Sequence, residues 1–226
     1  MEGAKPRFYG RRRGRTLRTS RQTLLAEELP RWRIDAPLPP LETLFGPGVT
    51  SFGLEIGFGS GEHLLWRAER TPQRGYIGCE VFINGIAALL AGLAQKQLAN
   101  IRLFTEDARL LLPLLPPGRL AEIFILFPDP WPKYRHRDRR FVNPREIAQL
   151  ARVLQPGGLL TIATDDPIAM TWVLAQMRAA SDFRWCAERP GDWQSRDWPA
   201  TRYERKAITG FPPLYLSYRR IDPLAG

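Results

Sequence analysis

Cysteine and histidine are nearly missing from this chain, two of each among 226 residues. Cys79 lies in an apolar run and Cys186 in an aromatic one, far apart in sequence. Both read as small core hydrophobes, and neither a disulfide framework nor a Cys/His zinc centre can be assembled from such a set. Long apolar runs are absent too. None reaches the roughly 18 residues a membrane-spanning helix needs. The first residues lack the apolar segment of a secretory signal; an arginine-rich, acid-poor start fits a transit peptide, but cytoplasm is the expected location. The glycine-rich turn near residue 60 is not followed by Gly-Lys-Ser/Thr, which excludes a P-loop.

What the chain has is apolar residues enough for a full core, 44%, and an excess of base. Lys and Arg number 33 against 23 Asp and Glu, a net charge of +10. The excess is clustered, which points to a polyanionic partner, nucleic acid ahead of an anionic membrane surface. One cluster is Lys5, Arg7, Arg11, Arg12, Arg13, Arg15, Arg18 and Arg21, opposed by Glu2 alone and loosened by Gly3, Gly10 and Gly14. It reads as a flexible basic arm suited to phosphate contact. A short helix is expected over 22–29. Pro30, Pro37, Pro39 and Pro40 then form a linker, so residues 1–40 are expected as arm and linker and 41–226 as the main domain.

Within the main domain apolar strands alternate with amphipathic helices. Strands are expected over 52–57, 76–80, 101–104, 123–127, 159–163, 183–187 and 214–218. Helices are expected over 62–70, 84–98, 110–115, 144–154 and 167–180. Asn143 and Pro144 open one of them as N-cap and first helical residue. Pro156-Gly157-Gly158 reads as a turn, and residues 201–204 as part of a loop. This alternation predicts an α/β fold with a doubly wound, mostly parallel seven-stranded sheet. Ligands of such sheets sit beyond the carboxyl ends of the strands. There Glu55, Glu80, Asp107, Asp129 and Asp165 follow five successive strands.

Gly57 and Gly59 suit a nucleotide-binding turn, but the third position of the dinucleotide fingerprint is Glu62. A carboxylate there, with Glu55 before the turn, repels pyrophosphate. A ligand with no phosphate and a cationic end is favoured. S-adenosylmethionine meets that description, with Glu80 placed to accept its ribose hydroxyls and Asp107 to face its adenine. The run Glu55-Ile56-Gly57-Phe58-Gly59-Ser60-Gly61, the acid ending the second strand, and Leu154-Gln155-Pro156-Gly157-Gly158 resemble a class I S-adenosylmethionine-dependent methyltransferase.

Three further stretches sharpen the resemblance. Phe127-Pro128-Asp129-Pro130-Trp131-Pro132-Lys133 is followed by Arg135, His136, Arg137, Arg139 and Arg140; Ala163-Thr164-Asp165 ends the fifth strand; Thr201-Arg202-Tyr203-Glu204 lies late in the chain. Together they resemble the tRNA (guanine-N7)-methyltransferase family in its bacterial single-chain form, over about residues 50–219. The resemblance implies methyl transfer to N7 of a guanosine in tRNA, position 46 of the variable loop. It implies Glu55, Gly57, Gly59, Gly61, Glu80, Asp107 and Asp129 as cofactor residues, with Asp129 also the active-site acid. Lys133, Asp165, Thr201, Arg202, Tyr203 and Glu204 would meet the substrate, and Arg135, His136, Arg137, Arg139 and Arg140 the RNA. No metal, no membrane and no obligatory protein partner are expected. Tyr134 and Asp138 interrupt a segment that is often more uniformly basic, and Phe82-Ile83-Asn84-Gly85 departs from the commonest form.

N7 of guanine carries a lone pair and no proton, so the nucleophile needs no general base. Alignment and negative charge near the purine are what help. Asp129, stiffened by its two prolines, suits that role, and a donor such as Lys133 near O6 would read guanine over adenine. Asp165 and Glu204 could accept from the guanine N1–H and amino group. Plainer readings stand beside these. Trp131 either covers the sheet edge or stacks on a base, Trp172 and Trp185 are core residues, Tyr203 packs or stacks, and Trp193 and Trp198 pack a loop. His63 is expected on a helix surface and His136 as an RNA-facing donor. Three other functions compete: a methyltransferase for an exocyclic amine, which usually shows Asp/Asn-Pro-Pro-aromatic after strand four; a non-catalytic RNA-binding protein; and a dinucleotide oxidoreductase, disfavoured by Glu62.

Overall fold

The computed structural model describes residues 9–206 and 209–221. Seven strands form one sheet, in the order Ile101–Phe104, Arg74–Cys79, Ser51–Ile56, Leu120–Leu126, Leu154–Thr164, Leu214–Arg220 and Phe183–Trp185. By packing the chain falls into two units, Met1–Leu115 and Pro116–Gly226.

The first unit begins with α1 (Thr19–Glu27), α2 (Leu29–Trp32) and α3 (Leu41–Leu44). Then β1 (Ser51–Ile56), α4 (Glu62–Arg70), β2 (Arg74–Cys79), α5 (Ile83–Lys96), β3 (Ile101–Phe104) and α6 (Ala108–Leu111) follow. The strands are parallel, with Leu54 beside Ile77 and Ile77 beside Arg102. Leu54, Leu64, Tyr76, Ile77, Leu89, Ile101 and Leu103 are all fully buried. A buried Leu or Ile contributes about 1.5–3 kcal/mol, so this layer fixes where the strand ends lie.

The basic arm is less loose than its composition suggests. Residues 1–8 lie outside the described residues, but from Arg12 onward the chain is laid along α5. Phe82, the N-cap of α5, offers no capping side chain. The orphan N–H of Ile83 takes the carbonyl of Arg12 instead, at 3.0 Å. Asn84 then exchanges hydrogen bonds with the arm: Gly14 N donates to its Oδ1 at 2.8 Å, and its Nδ2 donates to the Arg15 carbonyl at 2.7 Å. Arg12 also reaches Glu106, 3.3 Å away. Further on, Trp32 enters the core, and Ile34 N bonds the Leu103 carbonyl at 2.8 Å. Composition reports flexibility only when nothing offers the backbone partners, and α5 offers them.

The second unit holds β4 (Leu120–Leu126), α7 (Pro144–Val153), β5 (Leu154–Thr164), α8 (Pro167–Arg178), β6 (Phe183–Trp185), α9 (Arg202–Lys206) and β7 (Leu214–Arg220). β4 and β5 are parallel, while β7 runs antiparallel to both β5 and β6. Asn143 caps α7 as expected, its Oδ1 accepting from Arg145 N and Glu146 N. The Pro156-Gly157-Gly158 turn lies inside β5. Leu120 pairs with Leu154 but Glu122 with Leu159, so the extra residues bulge out and the ladder resumes. Residues 201–204, expected in a loop, enter α9.

Candidate active site

In the first unit the end of β1 runs into a turn where Gly57, Gly59 and Gly61 have φ of 76°, 56° and 82°. Only glycine adopts these angles cheaply. A Cβ at Gly57 or Gly59 would meet nothing within 4 Å, so the outer face of the turn is bare. Glu80, just past β2, ties this turn in place. Its Oε2 accepts from Gly59 N at 2.8 Å, and its Oε1 from Val81 N and Phe82 N at 2.8 and 2.9 Å. Asp107 is the N-cap of α6, accepting from Arg109 N at 2.9 Å and pairing with the Arg109 guanidinium at 3.2 Å. Glu55 is buried within β1, and its Oε2 lies 2.7 Å from Nδ1 of His63. His63 was expected on a helix surface; it is buried on the inner side of α4. A Cβ on Gly85 would lie 2.1 Å from the Gly59 carbonyl oxygen, so α5 can press on the turn only with glycine there.

These groups suit a ligand with hydroxyls and a cationic end. The three acids concentrate negative charge near the turn, and the bare glycine face leaves room for a flat or bulky group. Among the described residues no three His, Cys, Asp or Glu gather as a metal site, and no helix is long and apolar enough to cross a membrane. A cleft of about 380 Å³ lined by Arg31, Trp32, Leu93 and Arg102 contains none of the expected site residues.

In the second unit β4 ends in a loop with an unusual backbone. Phe127 and Trp131 are non-glycine residues with φ of 54° and 42°. Such conformations cost roughly 1–3 kcal/mol each and persist where the surroundings enforce them. Between them Pro128 and Pro130 flank Asp129, which is exposed. Desolvation by the surrounding protein still raises its carboxyl above the usual aspartate range. The loop is braced from beneath by Arg140, which is buried. Its Nε donates to the Pro130 carbonyl at 3.1 Å, its Nη2 to the Trp131 carbonyl at 3.0 Å, and its guanidinium lies 4.5 Å from the Trp172 ring. Arg140 is thus turned away from the RNA-gripping series in which the sequence placed it.

The rest of that series stands outward. Residues Tyr134–Arg139 form a 3₁₀ turn with no buried residue. Lys133, Tyr134 and Arg135 are exposed. Arg137 lies 4.4 Å from the Tyr134 ring and Arg139 5.0 Å from the Trp131 ring, stacked as cations on aromatic faces. His136 packs edge-on against Trp131, 5.8 Å between centroids. Desolvation and the cations Arg139, Arg135 and Lys133 hold it below its ordinary value, which favours the neutral ring.

At the end of β5, Asp165 is buried and accepts from Tyr203 at 3.2 Å and from Thr209 at 2.9 Å. Burial and the Asp165 charge push the Tyr203 hydroxyl up to about 12. Tyr203 also packs on Phe127, ring centroids 4.9 Å apart. Thr201 and Glu204 form a capping box on α9: Thr201 N donates to Glu204 Oε2 at 2.7 Å, and Glu204 N to Thr201 Oγ1 at 3.3 Å. Glu204 further accepts from Arg196 at 2.7 Å and from the Tyr215 hydroxyl. Burial opposes its charge, but the bonds from Tyr215, Thr201 and Arg196 hold the carboxyl below the usual range. Glu204 therefore points into the protein, away from the guanine-facing direction expected of it, while Arg202 is exposed and Tyr203 keeps part of its ring exposed.

A family model described as "Putative methyltransferase" matches residues 50–214. The tRNA (guanine-N(7)-)-methyltransferase of Paramagnetospirillum magneticum is 49% identical over 222 residues, covering 96% of this chain and 93% of its own. The enzyme of the same name from Azorhizobium caulinodans is 49% identical over 218 residues, 95% of each. The chain belongs to the tRNA (guanine-N(7)-)-methyltransferase family. Among solved structures, the 16S rRNA (adenine(1408)-N(1))-methyltransferase of Catenulisporales acidiphilia, with its cosubstrate SAM, superposes with a TM-score of 0.56 at 18% identity. That match covers 79% of this chain and 89% of the other. The 16S rRNA methyltransferase KamB gives 0.54 at 18% identity, over 80% and 92%. At such identities they show the shared Rossmann-like methyltransferase fold.

For a member of this family, the sequence left His63 and Gly85 unmarked and gave Arg140 a different role. His63 carried a signal, because a buried strand acid needs a donor and His63 is the first imidazole after it. Arg140 carried a weaker one, as the last base before the next capped helix. Gly85 had no signal beyond being a glycine in a helix.

Proposed function

We propose that the protein transfers a methyl group from S-adenosylmethionine to N7 of a guanosine in tRNA, at position 46 of the variable loop. The observation that carries this reading is Asp129: an exposed acid on a backbone of two prolines and two left-handed residues, next to an outward basic turn. Bound at the first unit's glycine turn, the cofactor would supply an electrophilic methyl on a cationic sulfur. Glu80 and Asp107 would take its ribose and adenine, and Glu55 its cationic end, with Gly57, Gly59 and Gly61 leaving room. Asp129 would orient the guanine and offset the positive charge that N7 acquires. Lys133 would donate to O6, and Arg202 and Tyr203 would contact the nucleoside. Asp165 supports through Tyr203. Thr201 and Glu204 support through the cap of α9. Arg135, His136, Arg137 and Arg139 would hold the RNA backbone. The work belongs to residues 41–226, in the cytoplasm, without an obligatory protein partner.

The test is nucleoside analysis of unmodified tRNA after incubation with the protein and methyl-labelled S-adenosylmethionine. Label in 7-methylguanosine, lost when the transcript carries adenosine at position 46, is the expected result. Label in N6-methyladenosine would move the reading to an exocyclic-amine enzyme.

A further inference from the structure

We propose that His63 is a positioning residue for the cofactor: by holding Oε2 of Glu55 it fixes how the acid of β1 meets the ligand's cationic end. The proposal rests on the reading above that Glu55 faces the cofactor.

The three acids at the first unit's strand ends are held by different means. Glu80 takes three main-chain N–H groups. Asp107 takes the N–H of Arg109 as a helix cap. Such donors come with the fold. Glu55 lies inside a strand whose own N–H and carbonyl groups serve the parallel ladder, with Gly78 as its partner on β2. Its carboxylate is buried, and a buried carboxylate without a donor is costly. Nδ1 of His63 supplies one at 2.7 Å, with the side chains 1% and 3% exposed. At that separation and depth the hydrogen bond sets the carboxylate's rotamer as well as satisfying it.

Local structure explains how the imidazole arrives there. The chain reverses in the glycine turn and enters α4 at Glu62, so the first turn of α4 returns beside the end of β1. His63 is one of the residues that α4 buries, with Leu64, Leu65 and Ala68. The ring of Trp66 stacks on the imidazole, 6.5 Å between centroids and 25° between planes. Arg70 in turn lies 4.9 Å from the Trp66 ring. The imidazole plane is thereby set from one side. For Nδ1 to donate, the ring proton sits on Nδ1, which is the tautomer this contact selects. An apolar side chain could fill the same space but could not direct Glu55.

The experiment separates direction from filling. An Asn amide nitrogen occupies the place of a His Nδ1, whereas a Gln amide nitrogen falls where Nε2 would be. S-adenosylhomocysteine affinity is measured by calorimetry for the wild type, His63→Leu, His63→Asn and His63→Gln, with thermal melting as the folding control. Cofactor KM and kcat are measured with tRNA in excess. His63→Leu is expected to weaken binding and raise the cofactor KM roughly ten- to a hundred-fold. Its kcat at saturating cofactor should stay within about three-fold, since the chemistry lies elsewhere. His63→Asn should recover most of the affinity and His63→Gln should not. Wild-type affinity in His63→Leu overturns the proposal, as does equal affinity in His63→Asn and His63→Gln. If His63→Leu fails to fold, the Asn and Gln pair decides alone. A wild type that does not bind S-adenosylhomocysteine would instead sink the reading of the cofactor site itself.

Discussion

Glu55, Glu80 and Asp107 in the first unit each have a hydrogen-bond donor within 3 Å, and the turn among them is glycine. Asp129 in the second unit stands exposed, and its loop is fixed by prolines, by two left-handed residues and by Arg140 from below. One region fixes its side chains by hydrogen bonds; the other fixes its backbone and leaves the side chain open. The difference suits the partners proposed for them. A cofactor is one small molecule of constant shape, so carboxylates can be pre-aimed. An RNA arrives as a large polyanion, and groups facing it must stay outward yet not drift. Rigid backbone under open side chains meets both demands, at the cost of strain stored at Phe127 and Trp131.

Asp129 offers the largest effect by which this contrast can be broken. Asp129→Ala and Asp129→Asn should slow single-turnover methylation by about 10²–10³-fold, while tRNA affinity changes little. Near-normal rates in both variants would remove Asp129 from the chemistry. Its carboxyl is raised by desolvation, and the ionised form is the useful one. The rate should therefore fall with falling pH at values above the ordinary aspartate range, and Asp129→Asn should lack that acid limb. Next comes Glu80→Ala, which removes the acceptor for three backbone N–H groups. Cofactor affinity by calorimetry should drop roughly ten- to a hundred-fold, with tRNA affinity unchanged; a loss of tRNA binding would mean that the two regions are not separable. The smallest effect sharpens the second region alone. Replacing Arg135, Arg137 and Arg139 with Ala should lower the slope of log affinity against log salt by about 2, at ~0.7 for each phosphate no longer neutralised. Arg140→Ala should leave the slope unchanged and slow methylation, because its guanidinium holds carbonyls of the loop.

Much of this was legible in the sequence, and the reason is local. Apolar runs ending in an acid mark strand ends, so Glu55, Glu80, Asp107, Asp129 and Asp165 could be placed without tertiary information. The helix from Glu62 to Arg70 and the strand from Ile101 to Phe104 were read to the residue. What escaped depends on neighbours distant in sequence. Periodicity tells which face of a helix is apolar, but not that His63 would meet Glu55 there. Glu204 reads as an exposed acid in a polar loop until Arg196 and Tyr215 are known to surround it. The arm reads as loose because its composition is basic and glycine-rich, and the hydrogen-bond partners on α5 that order it lie some seventy residues on.

Gly85 packs on the main chain of Gly59 with no side chain between them, and this makes position 85 an inherited constant of the turn. A lineage that gained a side chain at 85 would have to displace the main chain of the glycine turn in the same step, so position 85 cannot drift alone. The glycine at 85 would then persist as a mark of common descent after surface positions had diverged.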